Sequence, residues 1–278
     1  MANGILYLVA TPIGNLGDIS TRAREVLDTV DLVACEDTRR TGGLLAHLMI
    51  DARMISFFEG NERERVPELL RELRGGRSIA LVSDAGTPGL SDPGYRLVRA
   101  CAEEEIDVRT VPGASAAIAA LVISGLPTDR FSFEGFVPRR EGERRKRLEE
   151  IAGDRRTLVF YESPKRIAAT IQQMRDALGD RRAALARELT KVHEEVVRGS
   201  LSQILEEIVA RGDIKGEIVL VVEGAPPPEA PDLATLVAQA EALVASGTKK
   251  RQAAQEVARE HGTHPNAIYE ALIHPRQG

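Results

Sequence analysis

The chain has 278 residues, of which 43% are hydrophobic, and its formal net charge at pH 7 is -5. This composition supports more than one hydrophobic core and excludes a disordered tail. The acidic balance excludes a protein coated all over with nucleic-acid-binding charge, although a local basic patch is compatible with it. The two cysteines lack metal-binding spacing, and no apolar run reaches the roughly 18 residues of a membrane span. We expect a cytoplasmic protein without a metal site.

Short apolar runs alternate along the chain with longer stretches of helical periodicity, which is typical of an α/β protein with helices on both faces of a largely parallel sheet. The predicted strands are residues 5–10, 32–35, 54–58, 78–83 and 107–111. The predicted helices are residues 20–30, 39–47, 61–74 and 92–104. Residues 1–112 are therefore predicted to form an N-terminal α/β domain.

A second α/β domain is predicted over residues 113–224. It starts with an alanine-rich helix at 114–124, and its strands are residues 131–134, 157–161, 183–187, 194–198 and 217–223. The proline-rich segment 225–231 is predicted to be a stiff linker, because proline fixes φ and removes backbone donors. Beyond it, residues 232–278 are predicted to form a small helix-turn-helix-like domain with helices at 233–245, 249–261 and 264–273.

Four loops rich in glycine and proline follow predicted strands, at residues 11–18, 83–94, 112–116 and 162–165. Ligands bind at the carboxyl ends of strands in α/β sheets. Any one of these loops alone is best interpreted as a tight turn, but four on one rim predict a site. In the longest loop, Gly86, Gly89 and Gly94 permit positive φ and close approach of the backbone to a ligand.

Three common sites are excluded by their missing motifs. The first loop has only Gly14-x-x-Gly17, without the spacing of a dinucleotide-binding fingerprint. A Walker sequence and a Gly-x-Ser-x-Gly nucleophile elbow are both absent. These absences argue against nucleotide cradling and against a hydrolase.

Longer strings identify a family. They are LYLVATPIGNLGDIS (6–20), CEDTR (35–39), SDAGTPGLSDPG (83–94), VPGASA (111–116), SGLPTDRFSFEGFVPR (124–139), FYESPKR (160–166), ARELTKVHEE (186–195) and KGEIVLVVEG (215–224). The chain thereby resembles the tetrapyrrole methylase superfamily, the class III methyltransferases, and within it the enzymes that methylate a cytidine ribose 2'-oxygen in 16S ribosomal RNA.

This resemblance implies that S-adenosyl-L-methionine lies in a cleft between two α/β domains. It also implies that the substrate is 16S rRNA within the small ribosomal subunit, methylated at cytidine 1402, and that the enzyme is a homodimer. The residues matched to the donor site are Pro12, Gly14, Asp84, Gly86, Thr87, Pro88, Gly89, Leu90, Ser115, Ala116, Phe160, Tyr161 and Ala186.

Methyl transfer from a sulfonium requires mainly that the acceptor oxygen and the methyl carbon are held in line. A ribose hydroxyl is a weak nucleophile, so a nearby base or cation would help. Glu188 with Lys191 is our first hypothesis for this role, because the pair follows a strand end, and Asp37 with Arg39 is the second. Helix capping or ion pairing is an equally good interpretation of these groups.

Basic residues concentrate in two stretches that could contact phosphates. The predicted RNA-binding residues are Arg139, Arg140, Arg144, Arg145, Lys146, Arg147, Lys249, Lys250 and Arg251. The alternative for the first stretch is a solvated helix whose Glu and Arg side chains pair at helical spacing. The alternative for the second is an appendage that packs in a dimer.

Two other functions stay open at this stage. A corrin or porphyrin methyltransferase of the same superfamily would keep the donor site and take an anionic macrocycle. A ribosome-associated RNA-binding factor would use the cleft without transferring a methyl group. The strings at 83–94 and 160–166 and the basic stretches favour the RNA methyltransferase.

Overall fold

The computed structural model describes residues 3–212, 214–227 and 231–274. The chain divides into two compact units, residues 1–225 and 226–278. The first unit holds two five-stranded sheets with helices packed on them, and the second holds helices. The predicted α/β class is thereby confirmed. Part of the predicted linker, residues 228–230, lies outside the described residues, and the predicted domain boundaries stay predictions.

The first sheet has the order β3-β2-β4-β1-β5, and all of its pairs are parallel, as predicted. Its strands are β1 (Leu6–Val9), β2 (Leu32–Cys35), β3 (Met54–Ser56), β4 (Ile79–Val82) and β5 (Val108–Val111). Its helices are α1 (Thr21–Thr29), α2 (Thr38–His47), α3 (Glu62–Arg74) and α4 (Tyr95–Glu103), and a short 3-10 turn spans Leu16–Asp18.

The second sheet has the order β6-β7-β10-β8-β9. Its strands are β6 (Phe131–Phe136), β7 (Thr157–Glu162), β8 (Arg182–Arg187), β9 (Glu195–Ser200) and β10 (Ile218–Val222). Its helices are α5 (Ala116–Ser124), α6 (Glu141–Glu150), α7 (Ile167–Leu178) and α8 (Leu201–Arg211). The last three helices were not among the predicted elements.

The expectation of a largely parallel sheet is wrong for this second sheet. Only β6 and β7 pair in parallel, whereas β7–β10, β10–β8 and β8–β9 are antiparallel. The connection between β8 and β9, residues 188–194, is too short to hold a crossover helix, so these strands form a hairpin. Hydrophobic pattern fixes which face of a strand is buried but not the direction of its neighbour.

Alternating side chains along the strands of the second sheet pack into two hydrophobic cores, one on each face of the sheet. On β10, Ile218, Leu220 and Val222 face the core under α6, α7 and α8, whereas Val219 and Val221 face the core under α5. A strand that is buried on both faces has a continuous apolar sequence, and this is why every residue of β10 is apolar. The sheet therefore holds rigidly the loops that leave its ends.

The predicted helix over 92–104 begins only at Tyr95. Gly94 has φ of 141°, so the preceding residues stay in the irregular loop 83–94. A Cβ at Gly94 would lie 2.9 Å from the Leu81 side chain, so glycine is required here by both conformation and space. The loop is thus longer than helical periodicity suggested.

The second unit contains α9 (Leu233–Ala245), α10 (Lys250–Glu260) and α11 (Pro265–Ile273), as predicted. Leu236, Ala253, Val257 and Ile268 form the centre of its own hydrophobic core. Among the described helices of the whole chain, none is long and apolar enough to cross a membrane. The cytoplasmic location stays a prediction.

Candidate active site

A cleft of about 420 Å³ lies in the first unit, between the loops of its two sheets. This volume is within the range of roughly 300–1,000 Å³ of small-molecule sites. Its walls are formed by Ile13, Glu36, Arg40, Asp84, Ala85, Gly86, Thr87, Leu90, Ser91, Asp92, Ala116, Phe136, Tyr161, Glu162, Ser163, Pro164, Gly216, Glu217, Ile218 and Val219. Both sheets contribute, so neither half of the unit forms the cleft alone.

The four predicted loops meet at this cleft. Thr11 and Gly86 exchange two backbone hydrogen bonds of 2.8 and 3.1 Å, which joins loops 11–18 and 83–94. The Thr87 hydroxyl donates to the carbonyl of Ala114 over 3.2 Å, which adds loop 112–116. Loop 162–165 contributes wall residues from the second sheet. Loops separated by many residues in the chain are therefore brought together, as their strand-end positions predicted.

Three carboxylates, Glu36, Asp84 and Asp92, stand on one wall of the cleft. Burial, followed by the negative charge of Glu36, raises the pKa of Asp92 to about 6. Burial and then Asp84 also raise the pKa of Glu36. Like charges that share a partly buried site disfavour full ionisation, so this wall can hold a proton near neutral pH.

Glu162 is the innermost polar group of the second-sheet wall, and its side chain is fully buried. Its Oε1 accepts from the Ser163 backbone N–H at 2.6 Å and pairs with Arg166 at 2.6 Å, and its Oε2 accepts from the Thr170 hydroxyl at 2.7 Å. Both carboxylate oxygens are thus engaged inside the protein. Glu162 therefore fixes the turn 163–165 and has no free oxygen to offer a substrate.

The residues matched to the donor site fall into three groups. Those that line the cleft are Asp84, Gly86, Thr87, Leu90, Ala116 and Tyr161. Those in the adjoining loops are Pro12, Gly14, Pro88, Gly89 and Ser115. The remaining two, Phe160 and Ala186, have side chains buried in the two cores of the second sheet. Only backbone groups of the last two can face a ligand.

Two observations bear on whether the site suits a donor with many polar groups. The Ser115 hydroxyl is buried at the start of α5 and has no hydrogen-bond partner within the described protein. A buried hydroxyl without a partner is costly. Gly86 has φ of +80°, and a Cβ there would approach Ile13 to 3.4 Å. The unpaired Ser115 hydroxyl therefore fits a small polar ligand, whereas Gly86 shapes the cleft wall and is itself buried, with its N–H and carbonyl bonded to Thr11.

Glu188 and Lys191, the first hypothesis for catalysis, form an ion pair of 2.8 Å, and Lys191 also lies 3.3 Å from Glu217. The hydrogen bond from Lys191 lowers the pKa of Glu188. Of these three residues, only Glu217 is among the described residues that line the cleft. A Cβ on Gly14 would lie 2.6 Å from the Lys191 side chain. The pair therefore packs behind the first loop, and its catalytic role stays a prediction.

Asp37 and Arg39 form an exposed pair of 2.9 Å at the start of α2. Hydrogen bonds from Arg39 lower the pKa of Asp37 to about 2. Asp37 accepts from the Arg39 backbone N–H over 2.8 Å, which is the geometry of a helix cap. The capping interpretation is therefore supported directly, and a catalytic role rests on the sequence pattern alone.

The first basic stretch divides into a buried and an exposed part. Arg144 is only 7% exposed and donates to Gln173 and to the carbonyls of Pro138 and Arg139. Arg140 pairs with Glu143, Arg145 with Glu149, and Arg147 with Glu134 and Glu150. Arg139 and Lys146 are exposed and form no ion pair among the described residues. Much of this stretch thus fits the alternative of a self-paired helix.

The second basic stretch opens α10. Lys249 is the residue before the helix, Arg251 is exposed, and the Lys250 ammonium donates to the carbonyl of Leu272 at the end of α11 over 2.7 Å. A cation at a helix carboxyl end satisfies an unpaired carbonyl. Lys250 therefore has a structural task, and Lys249 and Arg251 stay predicted RNA contacts.

Sequence reasoning missed Asp92 and Phe136 as site residues. Asp92 belongs to the string 83–94, so its position in a donor loop was predictable. Its approach to Glu36 was not predictable, because Glu36 follows another strand. Phe136 lies at the end of β6, and its side chain reaches the cleft because of a strand irregularity that no sequence pattern announces.

The family model of Tetrapyrrole (Corrin/Porphyrin) Methylases matches residues 5–205. The chain therefore belongs to the tetrapyrrole methylase family. It is an S-adenosylmethionine-dependent methyltransferase, and the predicted enzyme class and methyl donor are confirmed.

Individual relatives show which members of this family the chain is similar to. The chain is 47% identical to the ribosomal RNA small subunit methyltransferase I of Synechocystis over 97% of its own length and 98% of the relative. It is 48% identical to the protein of the same name from Mycobacterium tuberculosis, over 100% of its own length and 97% of the relative. A solved uroporphyrin-III C-methyltransferase from Thermus thermophilus, complexed with S-adenosylhomocysteine, is 21% identical over 79% of this chain and 97% of its own, with a TM-score of 0.55, and so shares the fold.

Proposed function

We propose that the protein methylates the ribose 2'-oxygen of a cytidine in small-subunit ribosomal RNA, cytidine 1402 of 16S rRNA by resemblance, with S-adenosylmethionine as donor. The observation that carries the proposal is the carboxylate wall of the cleft, where Asp92 has a pKa of about 6. A proton-accepting group near neutral pH accelerates transfer to a hydroxyl acceptor, which is a weak nucleophile. The near full-length likeness to ribosomal RNA small subunit methyltransferases I supports RNA as the acceptor.

The donor would be held by the loop 83–94, by Ser115 and Ala116, and by Tyr161. The unpaired Ser115 hydroxyl offers one hydrogen bond, and the backbone N–H groups of Ala85 and Thr87 offer others. When bound, S-adenosylmethionine supplies an electrophilic methyl carbon on a sulfonium. The apolar surfaces of Ile13, Leu90 and Tyr161 exclude water from that part of the cleft.

Asp92 is our proposal for the group that receives the proton of the ribose hydroxyl. The oxygen–carbon bond forms as the carbon–sulfur bond breaks, and the hydroxyl proton passes to an Asp92 carboxylate oxygen. Asp84 cannot share this task equally, because its Oδ1 accepts from the Asp37 N–H and its Oδ2 lies 3.4 Å from Arg40. Burial, and after it the negative charge of Glu36, keep the pKa of Asp92 high.

On the RNA side, the exposed cations Arg139 and Lys146 are the proposed phosphate contacts of the first basic stretch. Their lack of carboxylate partners leaves their charge available, and phosphate contacts give affinity without reading sequence. Lys249 and Arg251 are the proposed contacts of the second stretch. Arg144 is left out, since its donors are used inside the protein.

We also propose a homodimer. α5 is apolar around most of its circumference, and Ile118 and Val122, four residues apart on one face, are 44% and 63% exposed. Exposed apolar side chains at helical spacing are typical of a surface that a partner covers. Sedimentation velocity of the parent and of Val122→Glu tests this: a dimer that the substitution dissociates supports it, and a monomeric parent contradicts it.

The test of the function offers labelled S-adenosylmethionine and purified protein to small ribosomal subunits lacking the modification, to naked ribosomal RNA and to a corrin precursor. We expect label on RNA that survives as a 2'-O-methylcytidine after digestion to nucleosides. Label on the corrin would move the assignment to the macrocycle enzymes. Label on a cytosine base would correct the acceptor atom, and donor binding without any transfer would favour an RNA-binding factor.

A further inference from the structure

Phe136 is an exposed aromatic side chain on the wall of the cleft. It is 57% exposed, although burial of a phenyl ring is among the largest apolar gains available to a protein. Its ring lies 5.5 Å from the ring of Tyr161 at an interplanar angle of 60°. Tyr161 is in turn held by Phe133, 5.0 Å away. The Phe136 ring thus packs against Tyr161 on one side, and its outer face is left open.

A β-bulge is responsible for this placement. The register of β6 on β7 shifts between Phe133 and Gly135, so that Phe136 pairs with Tyr161. If β6 kept regular alternation from Phe133 onward, without the bulge, Phe136 would lie on the same face as Glu134, which pairs with Arg147. Bulges re-aim side chains and are common next to active sites. The bulge therefore turns an aromatic ring into the cleft at the cost of regular pairing.

The same bulge connects Phe136 to the loop 83–94. Gly135 has φ of +63°, and a Cβ there would lie 3.1 Å from the Ser91 hydroxyl, in the loop that also carries Asp92. The ring and the carboxylate are thus set by two loops in contact. An acceptor whose hydroxyl reaches Asp92 must have its neighbouring groups close to this part of the wall.

We propose that the outer face of Phe136 is the stacking surface for the nucleobase of the acceptor nucleotide. This inference rests on the proposed function. Unstacked RNA bases bind by stacking on aromatic side chains, and every base has a π-face that can do so. The occupant is the planar heteroaromatic base of the acceptor nucleotide, because its attached ribose carries the hydroxyl that reaches Asp92 in the same cleft.

The chain contains no tryptophan, which makes a direct test possible. Phe136→Trp gives the protein a single indole at the proposed stacking surface. Phe131→Trp is the matched control, since Phe131 is 38% exposed at the other end of β6 and does not line the cleft. Ribosomal RNA extracted from unmodified small ribosomal subunits, which adds no tryptophan of its own, should quench the emission of the first variant and leave that of the control unchanged. Equal responses of the two variants contradict the proposal.

Kinetics with the same subunits give the second readout. Phe136→Leu keeps an apolar side chain without a ring, and its KM for subunits should rise about 5- to 150-fold, whereas Phe136→Tyr should stay within about 3-fold of the parent. Affinity for S-adenosylhomocysteine should not change. A parent-like KM in Phe136→Leu overturns the stacking role, and a selective loss of S-adenosylhomocysteine affinity assigns the ring to the donor. A parent that labels no RNA would instead overturn the proposed function.

Discussion

The Oδ1 atom of Asp84 accepts a hydrogen bond from the backbone N–H of Asp37 over 3.0 Å. These residues follow β4 and β2, which are neighbours in the first sheet. The bond therefore ties the long cleft loop to the start of α2. Arg40, one turn into that helix, lies 3.4 Å from the other oxygen of Asp84. One carboxylate thus fixes the wall on which Glu36 and Asp92 stand.

Replacing Asp84 by alanine should loosen this wall. The Asp37 N–H loses its acceptor, and hydrogen bonds to charged groups contribute about 1.5–3 kcal/mol each. We expect the free energy of unfolding in urea to fall by about that amount and S-adenosylhomocysteine to bind more weakly by calorimetry. Asp107→Ala is the control, because its ion pair with Arg109 is about half exposed and contributes little. Equal effects of the two substitutions would argue against the role of Asp84.

The raised pKa of Asp92 predicts a pH dependence of turnover. A proton acceptor with a pKa of about 6 is ionised above that value, so kcat should rise from pH 5 to 7 and then level off. Asp92→Asn removes the acceptor and should lower kcat at pH 7.5 by about 100- to 10,000-fold. S-Adenosylhomocysteine affinity is measured alongside to show that the cleft is intact. A flat profile through pH 6 contradicts the assignment.

The same group predicts an opposite effect on stability. The pKa of Asp92 is about 6 in the folded protein, above the 3.8 that is usual for an aspartate, so the folded state binds the proton more tightly between those values. The stability contributed by protonated Asp92 is present below about pH 4 and is lost as pH rises through 6. Asp92→Asn should therefore raise the midpoint of thermal unfolding at pH 7.5 and leave it nearly unchanged at pH 4. A lower midpoint at pH 7.5 would show that charged Asp92 is stabilising.

The sequence predicted much of the fold because helices and strands here follow simple periodicity. β2 and α9 have the predicted bounds, and the three C-terminal helices are all present. Strand direction in the second sheet was not predictable, since apolar alternation reports burial and not pairing. The amphipathic pattern of α7, with Ile167, Ile171 and Met174 on its buried face, is a signal in the sequence from which this helix could have been predicted.

The site was predictable as loops but not as side chains. The glycine and proline residues identify 83–94 as a loop whatever residues it contacts in the fold. The approach of Glu36 to Asp92 depends instead on the order of strands in the sheet. The direction of Phe136 depends on one extra residue in β6. Polar residues such as Glu188 and Asp37 attract attention in the sequence, and the structure shows the first in an ion pair behind a loop and the second at a helix cap.

Gly14 should be intolerant of alanine for a steric reason. Its added Cβ would lie 2.6 Å from Lys191 Cγ and 3.0 Å from Thr190 Oγ1. Accommodation requires either that the Lys191 side chain leaves its ion pairs with Glu188 and Glu217 or that the loop 11–18 shifts at the cleft. We expect weaker S-adenosylhomocysteine binding and a lower unfolding midpoint. Gly43→Ala is the control: nothing lies within 4 Å of its Cβ in α2, and alanine favours helices by up to about 1 kcal/mol. The hypothesis fails if Gly14→Ala behaves like this control.

Arg144 and Lys146 should separate stability from RNA binding. Arg144→Met leaves Gln173 and the carbonyl of Arg139 without their buried donor, which should lower the free energy of unfolding by about 1–3 kcal/mol. Lys146 is exposed, so Lys146→Met should change stability by less than about 0.5 kcal/mol.

For RNA affinity the expected order is reversed. A phosphate contact by Lys146 contributes about one unit to the slope of log affinity against log salt concentration. Filter binding of small ribosomal subunits between 50 and 200 mM salt should therefore give a shallower slope for Lys146→Met and a parent slope for Arg144→Met under conditions where it is folded. If both variants keep the parent slope, the exposed cations of α6 form only a solvated helix face, and the phosphate contacts lie elsewhere.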